Sequence, residues 1–127
     1  MTNQSAFDAA LRLIGELPGS PGLEDYLDRA PSLLCAACRA LAAADRHCRS
    51  AMGLEEQVLP DGSEFALEDP FPLCDALLPA TAAHLAASLL FDENPTLSAQ
   101  CQARFREMVQ DLLAALPASL EMIKNRY

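Results

Sequence analysis

Four stretches of the chain repeat apolar residues at helical spacing, and one long stretch does not. Phe7, Ala10, Leu11, Ile14 and Leu17 recur on one face, with Asp8, Arg12 and Glu16 opposite. They predict a helix over residues 6–17. Ser5-Ala6-Phe7-Asp8 has the form of a capping box with Asp in place of Glu, and Gly15 with the run Pro18-Gly19-Ser20-Pro21-Gly22 ends the helix. Leu23, Leu27, Ala30, Leu34, Cys38, Leu41, Cys48 and Met52 then hold one phase, opposite Arg39, Ala43, Arg46 and Ser50. They predict helix over 21–52, capped by Ser20 with Pro21 at its first position and stopped by Gly53. Pro31 removes a helical hydrogen bond and crowds the Leu27 carbonyl, so a kink or break is expected at Ala30–Pro31.

The third helical stretch covers 72–92, with Pro79 interrupting its first turns. From Ala76 to Phe91 the only polar side chains are Thr81, His84 and Ser88, all on one face. A helix apolar nearly all round belongs at the centre of a bundle. Asn94-Pro95 ends it and can cap the last helix, over 96–116, whose stripe is Leu97, Cys101, Phe105, Met108, Leu112 and Leu116 and whose stop is Pro117. Residues 53–70 have no helical period. Pro60-Asp61-Gly62 is a turn signal there, and Val58-Leu59 can pair with Phe65-Ala66-Leu67 as a short hairpin. The expected fold is one all-α domain, a bundle of four or five helices with a long acidic loop, followed by an extended tail at 118–127.

Charge sharpens this picture. No Lys or Arg occurs between Arg49 and Arg104, while Glu55, Glu56, Asp61, Glu64, Glu68, Asp69, Asp75, Asp92 and Glu93 all fall in that interval. The net charge of −9 is accounted for there. An acidic belt repels phosphate and argues against sequence-specific reading of nucleic acid. Apolar residues are 51% of the chain, rich in Ala and Leu, which excludes disorder and favours helix. The Ala76–Phe91 run is about 24 Å long as a helix, short for a bilayer core of roughly 30 Å. The opening residues Met1-Thr2-Asn3-Gln4-Ser5 are unlike a signal peptide, and the five cysteines are an odd number. These features lead to the expectation of a cytoplasmic chain with free thiols and no membrane partner.

Candidate chemistry is sparse. Cys35-Ala36-Ala37-Cys38, followed by His47-Cys48, puts two thiols on one helical face, as a zinc site needs. Cys74, His84 or Cys101 would have to complete the ligand set. Buried, unreactive thiols are the plainer expectation. His84 has the chemistry of a general base but no nucleophile and carboxylate to work with, so a hydrogen-bonded interior His, or one facing a partner subunit, is the expected role. Glu55-Glu56 and Asp92-Glu93 are adjacent carboxylates, which do not face each other in a helix. No catalytic residue, metal ligand or cofactor is expected.

Further direction comes from a resemblance. The passage Leu77-Leu78-Pro79-Ala80-Thr81-Ala82-Ala83-His84-Leu85-Ala86-Ala87-Ser88-Leu89-Leu90-Phe91-Asp92-Glu93-Asn94 looks like the buried helix of the small head–tail connector (adaptor) proteins of tailed bacteriophages and prophages. In that family an apolar helix ends in an aromatic followed by acidic or amide residues, and a last helix leads to a tail. Tyr26-Leu27-Asp28-Arg29-Ala30 resembles the start of the family's long helix. The likeness covers residues 23–116. It departs at Pro31 and Pro79, which interrupt helices the family tends to keep continuous, and in lacking the basic residue often found after the Asn. The resemblance implies a non-enzymatic, ring-forming virion protein that docks between portal and tail, with its own copies and those proteins as partners and no cofactor. It also implies a ring around the DNA channel, where an acidic belt lets DNA slide. The rival readings are a cytosolic helical adaptor that binds one partner through the 53–70 loop, and a zinc- or thiol-dependent sensor using Cys35, Cys38 and Cys48.

Contact residues follow from apolar side chains that no stripe buries. In the loop region these are Leu54, Val58, Leu59, Phe65, Leu67 and Phe71, rimmed by Glu55, Glu56, Asp61, Glu64 and Glu68. In the tail they are Leu120, Ile123 and Tyr127, beside Lys124 and Arg126, whose charge complements the belt.

Overall fold

In the computed structural model, which describes residues 1–116, the chain forms five α-helices and, among those residues, no strand. They are α1 (Asn3–Leu13), α2 (Glu24–Ala40), α3 (Ala42–Ala51), α4 (Leu78–Leu90) and α5 (Pro95–Ala115), with a short 3-10 turn at Asp75–Leu77 leading into α4. The all-α bundle expected from the spacing is present. The tail residues Leu120, Ile123, Lys124, Arg126 and Tyr127 lie outside the described residues.

α4 is the hub. It packs against α1, α2 and α5, and nine of its residues are buried. Five of those nine are Ala80, Ala82, Ala83, Ala86 and Ala87. Small side chains let three neighbouring helices approach closely, and Leu85 and Leu89, both fully buried, fill the spaces between them with Phe7, Leu34, Leu41 and Leu77. Pro79 sits in the first turn of α4, where the missing amide hydrogen has no partner to lose. Asn94 caps α5, its side chain accepting a hydrogen bond from the Leu97 amide at 3.1 Å. Ser98 donates its hydroxyl to the Ala87 carbonyl at 2.6 Å, tying the α4–α5 hairpin across its interior.

The helix ends marked by glycine close as the sequence predicts. Gly15 and Gly53 adopt positive φ, at 83° and 72°. At each, the glycine amide and the next amide reach back to the helix: Gly15 to Arg12 and Glu16 to Leu11, Gly53 to Ser50 and Leu54 to Arg49. These are Schellman closures.

Five boundaries differ from expectation by three residues or more. α4 begins at Leu78 rather than at residue 72, and Asp75–Leu77 forms a 3-10 turn ahead of it. α1 begins at Asn3 rather than at residue 6, and the Ser5 capping box does not form; Thr2 occupies the cap position with no side-chain bond. α1 also ends at Leu13, which leaves Leu17 off the stripe and 73% exposed. α2 begins at Glu24, so Ser20 and Pro21 belong to the preceding turn and not to a helix cap. The break in the second helical stretch lies at Leu41, not at Ala30–Pro31. Pro31 is accommodated inside α2, and its carbonyl accepts the Phe65 amide at 3.0 Å. At Leu41 the backbone leaves the helical region (φ −98°, ψ 4°), and α3 departs on a new line that brings it against α5. Met52, in phase for the core on a straight helix, is consequently exposed.

Candidate interaction surface

The connection between α3 and α4 is the least regular part of the chain and the most tightly tied down by long-range hydrogen bonds. The expected hairpin between 58–59 and 65–67 does not form; the one β-bridge among the described residues joins Thr2 to Pro70. The loop instead serves the start of α1. The first amides of a helix lack partners within it. Here Asn3 donates to the Asp69 carbonyl at 2.9 Å and Gln4 to the Leu67 carbonyl at 2.8 Å. The Asn3 side chain donates to the Ala66 carbonyl, and the Phe71 amide donates to the Met1 carbonyl. Loop and helix terminus thus satisfy each other, which explains why α1 starts earlier than its own side chains suggest.

On the other flank, Arg39 of α2 donates to the Pro60 and Gly62 carbonyls at 3.0 and 2.8 Å, and its guanidinium lies 5.7 Å over the Phe65 ring. The loop's return to the core is fixed by Asp45 of α3. Its carboxylate accepts from the Cys74 amide at 2.8 Å and pairs with Arg49 at 2.9 Å, both partners largely buried. That pairing raises the Arg49 pKa further, the hydrogen bond Arg49 donates to Asp45 being the main cause.

This anchoring sorts the expected contact residues. Phe65 and Phe71 are core side chains, 4% and 8% exposed, and are removed from the contact surface. The physical reason is that their backbone amides find partners in Pro31 and Met1, so the flanking chain can be buried with the rings. Leu59 and Leu67 are half-buried against the core. Leu54 and Val58 remain outside, at 52% and 86% exposure, flanking the exposed Glu55 and Glu56. The expected patch is thus reduced to a short apolar-acidic arm, residues 54–58.

A second surface carried no signal in the hydrophobic pattern. The outer side of the α4–α5 hairpin holds an open groove of about 720 Å³. Phe91, Pro95 and Ala99 form its apolar walls, while Ser88, Gln102 and Arg106 supply polar groups. Phe91 is 71% exposed although it ends the most apolar run of the chain. The available clue was an aromatic ring directly preceding Asp92-Glu93-Asn94, where the helix must already have surfaced. Near the same end, the Tyr26 hydroxyl donates to Glu93 at 2.6 Å, which raises the phenol pKa to about 12. Arg29 pairs with Asp25 and donates to the Leu89 carbonyl, closing the last turn of α4. Further along α5, Phe105, Met108, Val109 and Leu112, and Leu116 just past its end, are only partly buried.

The remaining candidates do not converge. Among the described residues no three His, Cys, Asp or Glu side chains lie close enough to hold a metal ion. All five cysteines are free and buried. Burial pushes the Cys38 thiol up to about 12, aided by Cys35 and Asp45, and the Cys74 thiol up to about 11, aided by Asp45. Thiolate is the reactive and metal-binding form, so these groups are chemically quiet. His84 is half-buried, with its ring edge-on to Phe105 at 5.0 Å and its buried Nδ1 without a hydrogen-bond partner. Burial lowers its pKa. The hydroxyls that share its face are turned back onto the helix, Thr81 to the Leu77 carbonyl and Ser88 to the His84 carbonyl. Neither is placed for His84 to activate.

No family model matches the chain, and neither the curated proteins nor the solved structures contain a match.

Proposed function

We propose that this chain works by assembly rather than catalysis, as a ring-forming head–tail connector of a phage or prophage particle that docks between portal and tail. One observation carries the reading, the arrangement of residues 77–116. A helix buried on nearly every side ends in an exposed Phe91, passes through Asp92-Glu93-Asn94 and turns by an Asn94 cap into a long last helix. That order is the one the resemblance rests on. The partly covered apolar residues along α5, from Phe105 to Leu116, run toward the chain's C-terminal segment and support a role for that end in contacts between proteins. The acidic 53–70 loop presents Glu55, Glu56, Asp61, Glu64 and Glu68 to solvent, in keeping with a protein placed near DNA without binding it.

The test is binding to a portal. The reading frames upstream of this gene should encode a portal, a protease and a capsid protein. The purified chain, mixed with that portal, should form rings on it visible by electron microscopy. A gene with no portal in its neighbourhood, or a portal that leaves the chain unbound, sinks the proposal.

A further inference from the structure

The arm at 54–58 and the α4–α5 groove have no lining residue in common. The hollows bordered by Leu54 and Val58 are formed by α2, α3 and the loop, and the groove by α4, α5 and their connection. An exposed apolar-acidic segment and a groove, on different parts of one chain, suit a head-to-tail contact between copies. We infer that the α4–α5 groove is the seat for the Leu54–Val58 arm of a second copy of this chain. The inference rests on the ring-forming reading and names the contact by which the ring closes.

Chemistry and dimensions set the direction of docking. The arm reads Leu54-Glu55-Glu56-Gln57-Val58, two exposed apolar side chains around two carboxylates. The groove has apolar walls at Phe91, Pro95 and Ala99, with the exposed cation Arg106 about two turns further along α5. The two ion pairs among the described residues, Arg29–Asp25 and Arg49–Asp45, do not involve Arg106. Arg106 and Ala99 are about 10 Å apart along the helix, and Glu55 and Val58 about 10 Å apart in extended chain. Laid with Glu55-Glu56 against Arg106, the arm brings Val58 over Ala99 and Phe91. The reverse direction sets its carboxylates against the apolar walls at Phe91, Pro95 and Ala99 and away from Arg106. Opposite charge at one end and apolar walls at the other thus select one orientation.

The experiment uses the full chain with Phe91 replaced by the photoreactive residue benzoylphenylalanine. It is irradiated at submillimolar concentration as a mixture of isotope-labelled and unlabelled copies. The expected result is adducts between copies that map to residues 54–58. Adducts on residues 117–127 would assign the groove to the chain's own tail segment. Adducts on the groove of the second copy would make the contact isologous. Either of these, or no adduct between copies, overturns the inference. An Arg106→Glu change should lower the adduct yield about fivefold, equivalent to about 1 kcal/mol. Adding Glu55→Arg and Glu56→Arg should restore it, and failure of that rescue overturns the charge pairing. A chain that binds portal but gives no arm-to-groove adduct loses this inference alone. One that gives the adduct and ignores portal loses only the connector reading.

Discussion

The two halves of the α3–α4 connection carry similar apolar material and meet opposite fates. Residues 54–62 hold Leu54, Val58 and Leu59, of which the first two stand in solvent. Residues 63–74 hold Phe65, Leu67, Phe71, Leu73 and Cys74, and all but Leu67 are buried. Hydrophobicity does not separate them. What separates them is whether the backbone that accompanies each side chain can be satisfied away from water. The second half is offered the open start of α1, the Pro31 carbonyl and the Asp45 carboxylate. The first half is held only at its two ends, where the Leu54 amide closes α3 on the Arg49 carbonyl and where Arg39 and the Cys35 thiol donate to the carbonyls of Pro60 and Gly62. A loop is drawn into a core as far as hydrogen-bonding partners reach, and its apolar side chains beyond that point stay in solvent.

The sharpest way to break this comparison is to truncate one side chain in each half. Phe65→Ala should destabilise the fold by about 3–5 kcal/mol. Val58→Ala should stay within about 0.5 kcal/mol of the parent. Urea unfolding of the two variants gives the difference, and equal losses would mean that both halves are packed alike. Asp45→Ala should cost about 3 kcal/mol, because it strands a largely buried Arg49 and the Cys74 amide together. Asp45→Asn should cost less, since an amide oxygen can still accept from Cys74; a loss as large as that for Ala would point to the ion pair alone.

Asn3→Ala is expected to cost about 1 kcal/mol, the worth of one hydrogen bond to the Ala66 carbonyl. Its signature is local: hydrogen exchange should speed up at the amides of Phe65 and Phe71 and not across α4. The smallest effects are those of pH. Tyr26 in the folded chain titrates near 12 against an ordinary 10.0. The contribution of its bond to Glu93 is therefore complete below pH 10, and it fades as pH rises through 12. Tyr26→Phe should remove that alkaline slope from a stability profile. His84 runs the other way, with its folded pKa below the ordinary 6.5. Its contribution is complete above pH 6.5 and is lost on acidification below it, because the unfolded chain takes up the proton first. His84→Leu should flatten the acid side, and an unchanged slope would assign that titration to other groups.

Much of the helical framework was written in local signals. The glycine stops at Gly15 and Gly53 and the Asn94 cap each depend on a few consecutive residues, and each is found where the pattern places it; the apolar run becomes α4, though the helix starts at Leu78 rather than at residue 72. Of the candidate surface, the sequence marked Leu54 and Val58 correctly as exposed but grouped them with Phe65 and Phe71, and it was silent on Phe91 as a groove wall. The break at Leu41 was invisible because Ala40-Leu41-Ala42 is good helix material.

By itself, then, the sequence determined which segments are helical, which helix is central and where charge concentrates. These follow from side-chain periodicity, turn chemistry and composition, all properties of neighbours along the chain. Tertiary structure alone decided where α1 starts, where the second helical stretch bends and which loop side chains are buried. The first and last depend on hydrogen-bond partners more than twenty residues away, Asn3 with Asp69, Phe65 with Pro31, Cys74 with Asp45, and the bend accompanies the packing of α3 against α5; no local pattern records whether such partners will be in reach.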